Sequence, residues 1–271
     1  MSLPITKFTI FGERCSGTNY IEELMLHNFD IKHTNEYGNK HFFCFNEYTE
    51  STQETLFIGI VRNPIYWLNS FSKELYHIPE INRKSLKQFL FNEFYSVMNE
   101  TNTDNSDASN NNSNIFLMNN KYHTYKYETN KYDLNYVSGN KYKNIFELRQ
   151  LKNNYLINIM PNKVENYILI NYEDLLYNLE KTLDMIKTKF ELIQSRPTFE
   201  NIKKYKKTDT YNFVVQRQIT FKSNVIREIW NHLDVEQENS LGYFMGDNNK
   251  YFREKNELSK EIISTETTTE L

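Results

Sequence analysis

Cysteine is nearly missing from this 271-residue chain: Cys15 and Cys44 are the only two. Cys15 lies inside a glycine-bounded loop where a structural disulfide would be awkward, so a disulfide scaffold is excluded and a reducing compartment is expected. Also missing is any run of about 18 apolar residues, or a basic start leading into an apolar stretch of roughly 7–15, so neither a bilayer span nor a secretory leader is expected. Excess basic charge is missing as well. A net charge of -3 and a pI near 6.1 give no overall attraction to nucleic acid or to an anionic membrane, and any anion site has to be local. These absences lead to the expectation of an unanchored, soluble, cytoplasmic protein. No break in composition divides the chain, so one domain is expected over residues 1–252, with a polar tail over 253–271.

The most informative segment that is present runs from Gly12 through Glu13, Arg14, Cys15, Ser16, Gly17, Thr18 and Asn19 to Tyr20. The apolar run Ile5–Phe11 precedes it and a helical pattern with Ile21, Leu24, Met25 and Leu26 follows. Strand, glycine loop and helix make an anion cradle, because loop N–H groups and the helix dipole converge there. Gly12 and Gly17 have the spacing of the triphosphate-binding loop, but Thr18 and Asn19 stand where that loop needs its lysine and its magnesium-binding hydroxyl. A nucleotide kinase-like phosphoryl transferase is therefore the lesser alternative.

Further strands are expected at Phe29–His33, Leu56–Val61 and Tyr167–Tyr172, with helices opening at Pro64 and Asn144. Strand alternating with helix predicts an α/β fold, a three-layer sandwich whose central, mainly parallel sheet is flanked by helices. Ligands gather at the carboxyl ends of such strands, which aligns Gly12–Tyr20, Arg62–Ser70 and Tyr172 on one rim. Nine of the 22 residues from Asn99 to Asn120 are asparagine, so a mobile surface insertion is expected at about 99–140. Its Tyr-rich end, through Tyr122, Tyr125, Tyr127, Tyr132 and Tyr136, is read either as a lid or as a plain surface excursion. Residues 196–227 carry eight Lys or Arg against two acids, a stretch that either contacts a second phosphate or forms a solvated face.

Three of these segments together resemble the sulfotransferases that use 3'-phosphoadenosine 5'-phosphosulfate (PAPS). Arg14–Tyr20 is similar to the family's 5'-phosphosulfate loop. Arg62 followed by Ser70 is similar to its 3'-phosphate segment, and Asn171–Leu176 to its Tyr-Glu-Asp turn. Weaker matches are Asn144–Arg149 with Lys152, and His232–Tyr243. The resemblance implies a P-loop-like sulfotransferase fold and an enzyme that moves the sulfuryl group from PAPS to a hydroxyl or amine of a small-molecule or carbohydrate acceptor. No metal is implied. Arg14, Cys15, Ser16, Gly17, Thr18, Asn19, Tyr20, Arg62, Ser70 and Tyr172 would bind the nucleotide, with Tyr20 stacking on adenine and Tyr172 beside it. Of the two nearby histidines, His41 is preferred as general base, with a pKa near 7; His33 is read as structural or gating. Arg14 would neutralise the leaving group, with Lys40 as its substitute, because Cys15 occupies the position where many members carry a basic residue. The family's closing Arg-Lys-Gly segment has no clear equivalent, and Arg217 and Lys222 both stand as candidates. A non-catalytic nucleotide-binding relative is the further alternative.

Overall fold

The computed structural model describes residues 3–45, 50–74, 77–101, 124–125, 128–203 and 218–245. It is an α/β structure built on a four-stranded parallel sheet in the order β2 (Lys32–His33), β1 (Lys7–Phe11), β3 (Thr55–Val61) and β7 (Tyr167–Asn171). The continuous apolar run in β3 reflects its place between β1 and β7 with both faces covered. Phe57 and Val61 enter one core, while Leu56, Ile58 and Ile60 enter the other. On the first side lie α2 (Pro64–Phe71), α3 (Leu86–Phe91), α4 (Ile145–Asn154), α8 (Ser223–His232) and α9 (Val235–Ser240). On the second lie α1 (Thr18–Asn28), α6 (Tyr172–Tyr177) and α7 (Leu179–Phe190).

The chain steps from β1 outward to β2 and then returns across β1 to β3, so the direction of winding reverses between β1 and β3. The loops leaving those two strands bound the crevice where such sheets bind ligands. After β3, the Asn63 side chain accepts the Ile65 and Tyr66 amides at 3.0 and 3.4 Å, and Pro64 takes the first helical position of α2. Both choices suit a helix that has to start abruptly at a strand end. In α4, Asn144 caps in the same way, and a π turn at Tyr155–Ile159 leads into α5 (Met160–Lys163).

The expected surface insertion is in part ordered sheet. Strands β4 (Ser96–Thr101), β5 (Thr124–Tyr125) and β6 (Glu128–Asp133) form a second, antiparallel sheet in the order β4-β6-β5. Asparagine-rich composition concealed it, since the pairing comes from contacts with the rest of the fold rather than from local propensity. Tyr136 packs edge-on to Tyr155 with 5.5 Å between centroids, so it belongs to the body rather than to a lid. Tyr122, Tyr127, the middle of the insertion and the tail lie outside the described residues. Among the described residues no helix is long and apolar enough to cross a membrane.

Candidate functional site

The loop from Gly12 to Gly17 leaves β1 and turns into α1 through two left-handed residues, Cys15 at φ 63° and Gly17 at φ 97°. Gly17 has no room for a side chain, because a Cβ there would stand 2.2 Å from the Tyr172 ring. It caps α1 with no side-chain acceptor, which leaves the positive end of an 11-residue helix facing the loop. Burial pushes the Cys15 thiol up to about 12, so it stays protonated and unreactive.

Arg62, at the end of β3, reaches this loop. Its Nη1 donates to the Cys15 carbonyl at 2.9 Å and to Ser70 Oγ at 3.0 Å, which shows how a residue before α2 and one near its end converge. The guanidinium lies 4.8 Å over the Tyr172 ring, its Nε is buried without a hydrogen-bond partner, and only 7% of the residue is exposed. Among the described residues no carboxylate forms an ion pair with it. Glu173 feels its charge, but the two Glu173 oxygens accept from the Asn63 amide at 3.0 Å and the Tyr243 hydroxyl at 2.9 Å, and burial raises its pKa.

The two cations expected at the leaving group are engaged elsewhere. Arg14 turns inward: its Nε donates to Glu13 at 3.0 Å, its Nη2 to Ser96 Oγ, and the guanidinium covers Phe71 at 4.8 Å. Its carbonyl accepts from Trp67 Nε1 at 2.8 Å. Lys40 donates to Asn19 Oδ1 and, at 3.0 Å, to Glu22. Both charges are therefore answered by carboxylates.

His41 sits beside the loop. Its Nδ1 lies 2.8 Å from the Gly12 carbonyl, an acceptor only, so Nδ1 carries the proton and Nε2 keeps its lone pair. No described residue takes up Nε2. The expected pKa near 7 is corrected here: burial lowers it to about 3, although Glu13 and the Gly12 bond pull the other way, so the ring is neutral at physiological pH. His33 ends β2 with its ring tilted on Phe8 and Nδ1 3.7 Å from Glu22.

Beneath His41 lies a buried charge cluster that the sequence reading did not assemble. Lys152, on α4, donates to Glu13 and Asp133 at 2.5 Å each and to the His41 carbonyl at 2.6 Å. With Arg14, two cations face two carboxylates. The Glu13 carboxyl is held down at about 2: the Lys152 and Arg14 charges overcome the opposing effect of burial. Burial outweighs Lys152 at Asp133 and raises it to about 6. Sequence spacing gave no signal for a pairing that spans 139 residues between Lys152 and Glu13.

Tyr20 is corrected as a stacking residue: it is 1% exposed, packs edge-on to Tyr172 at 5.9 Å, and donates its hydroxyl to Asn201 at 2.9 Å, leaving no open face for a base. Ser16 and Thr18 are buried in the loop and the first turn of α1, and Ser16 N closes on the Glu13 carbonyl at 3.1 Å. The segment after α8 folds back onto the rim. Glu238 takes both Arg149 Nε (2.5 Å) and Nη2 (2.8 Å), and Arg149 Nη2 also donates to the Arg62 carbonyl at 2.9 Å. Lys222 is exposed before α8, and Arg217 lies outside the described residues. Among the described residues no group of three or more His, Cys, Asp and Glu is placed to hold a metal ion. Compared with models of known families, with curated proteins and with solved structures, the chain matches none.

Proposed function

We propose that this protein is a sulfotransferase that binds PAPS across the Gly12–Gly17 loop, Arg62 with Ser70, and Tyr172, and moves the sulfuryl group to a hydroxyl or amine. The observation that carries the reading is Arg62. A buried guanidinium costs several kcal/mol of desolvation, on the order given for ions in protein interiors, unless an anion pairs with it. This one has an idle Nε, no ion pair among the described residues, and the uncapped end of α1 beside it. A nucleotide bearing phosphate at both its 3' and 5' positions suits these features, since it offers one anion to Arg62 with Ser70 and another to the loop.

In this reading the donor supplies an activated sulfuryl group, whose S–O bond to the 5'-phosphate breaks as the acceptor's bond to sulfur forms. His41 Nε2 takes the acceptor's proton, while Nδ1–H on Gly12 O holds the tautomer; the negative charge of the bound donor beside the ring raises its pKa from the value of about 3 in the ligand-free protein, as a base at neutral pH requires. The end of α1 and the loop amides stabilise the negative charge that grows on the departing phosphate. Arg14 fixes the loop through Glu13 and Trp67 rather than meeting that charge directly. Tyr172 supports the Arg62 guanidinium, and Tyr20 supports Tyr172.

One observation favours a second reading, a nucleotide-binding relative without transfer: Arg14 and Lys40 are both spent on carboxylates. Calorimetric titration and a turnover assay separate the possibilities. Sulfotransferase function requires binding of adenosine 3',5'-bisphosphate without metal, and transfer of labelled sulfate from PAPS within a panel of phenols, sugars and amines. Binding without transfer to any acceptor selects the second reading. Magnesium-dependent ATP binding with no bisphosphate binding would overturn both.

A further inference from the structure

The antiparallel sheet also has an outward face, and what lies there is independent of the bisphosphate reading. Ser96 and Asp133 are register partners on β4 and β6, and both point inward, to Arg14 and Lys152. Side chains alternate along extended backbone, so Tyr95, just before β4, and Tyr132, one residue before Asp133 in β6, go to the opposite side. There they line a cleft of about 740 Å³, within the range of small-ligand sites.

Hydrogen bonds tie together the backbone behind and around this cleft. Phe94 and Tyr142 exchange backbone hydrogen bonds at 2.8 and 2.9 Å, and the Tyr142 hydroxyl donates to the Leu134 carbonyl at 2.8 Å. Asn135 Oδ1 accepts the Val137 and Ser138 amides at 2.9 and 3.2 Å and so shapes the turn that follows. The rim is electrically balanced: Lys141 faces Glu93 at 3.7 Å and Lys143 faces Glu147 at 3.9 Å. Such a rim has little to offer a phosphate or a carboxylate.

The interior offers aromatic surface. The Tyr95 and Tyr132 rings lean on one another, 6.1 Å apart at 36°, and the Lys141 ammonium sits 5.1 Å from the Tyr95 ring. The two rings pack on each other instead of opening a slot, so the cleft is a one-sided platform and not a sandwich for a planar base. Around it, among the described residues, the Tyr95 and Tyr132 hydroxyls and the Asn140 side-chain amide have no hydrogen-bond partner. A pyranose has the matching chemistry: an apolar C–H face for one aromatic ring and hydroxyls at its edges for amides and phenols. We infer that this cleft binds a short neutral saccharide, stacked on Tyr132 and hydrogen-bonded at its edges by Asn140 and the tyrosine hydroxyls, as a site separate from the Gly12–Gly17 loop.

The test is an NMR titration of the full chain with chitotriose, maltotriose and lactose at millimolar concentration, with adenosine as the planar aromatic control. At least one saccharide is expected to shift amides over 132–143. Tyr132→Phe, which keeps the ring and loses one of the edge hydrogen bonds, should weaken that binding only a few-fold, and Tyr132→Ala should weaken it at least about tenfold, the scale of one lost aromatic platform. Thermal denaturation with and without adenosine bisphosphate checks that both variants stay folded, and it reads the loop site separately. Three outcomes would each overturn the inference: no saccharide shifts these amides, the shifts survive Tyr132→Ala in full, or adenosine shifts them more strongly than any sugar.

Discussion

Replacing Arg62 by methionine separates a structural arginine from one kept for a ligand. The variant loses two hydrogen bonds from a charged donor, to Cys15 O at 2.9 Å and Ser70 Oγ at 3.0 Å, each worth about 1.5–3 kcal/mol. It also loses the guanidinium contact with Tyr172, about 1–2 kcal/mol. Against these losses it removes the desolvation penalty of a buried ion without an ion pair, several kcal/mol on the usual scale of about 3–5. It removes the idle Nε donor too, about 1–3 kcal/mol. Losses and gains nearly cancel, so the ligand-free variant should melt within roughly 2 kcal/mol of the parent, or about 4–8 °C for a domain of this size. With adenosine 3',5'-bisphosphate at 100 times its Kd, the parent gains about 2.7 kcal/mol, or about 5–10 °C, and the variant should gain almost none. Differential scanning calorimetry with and without the bisphosphate reads both quantities. A ligand-free loss well beyond 4 kcal/mol would make Arg62 a structural group, and a full ligand shift in the variant would remove it from the anion site.

Lys152→Met leaves Glu13 and Asp133 buried with one of their cations gone, and should cost about 3–5 kcal/mol in urea denaturation; a loss under 1 kcal/mol would contradict the cluster. His41→Ala should lower kcat for sulfuryl transfer by about 10²–10⁴-fold and leave bisphosphate affinity nearly unchanged, while unimpaired turnover would assign the base elsewhere. Among the groups that set the slope of stability between pH 6 and 4, His41 and Asp133 act in opposite directions. His41, depressed to about 3 when folded, loses stability as pH falls below its unfolded value of 6.5; Asp133, raised to about 6 from 3.8, gains it over the same interval because the folded state takes up the proton first. Asp133→Asn removes the gain, so its stability should fall more steeply than the parent's on acidification from pH 6 to 4, and an equal or shallower fall would reverse the sign assigned to Asp133.

The parts of the fold legible in the sequence are those whose cause is local. Leu56–Val61 reads as a doubly covered strand because every residue but Gly59 is apolar, and Asn63-Pro64 reads as a helix start because a side-chain acceptor and a fixed φ are both properties of single residues. The spacing of Arg62 and Ser70 was visible too, but their meeting at 3.0 Å depends on the sharp turn at Asn63. The β4–β6 sheet was hidden because its stabilising contacts, Ser96 to Arg14 and Asp133 to Lys152, connect segments far apart in sequence. The same cause misdirected the reading of the cations. From the sequence, Arg14 is expected at the leaving group for its place in the motif, with Lys40 as its substitute, and Arg62 with Ser70 at the 3'-phosphate. In the fold, Glu13 answers Arg14, Glu22 answers Lys40, and Lys152 is shared by Glu13 and Asp133, whereas Arg62 has no carboxylate among the described residues. A motif tells which residues can hold an anion; which of them is left to do so depends on how the carboxylates are paired, and that pairing is a property of the tertiary structure.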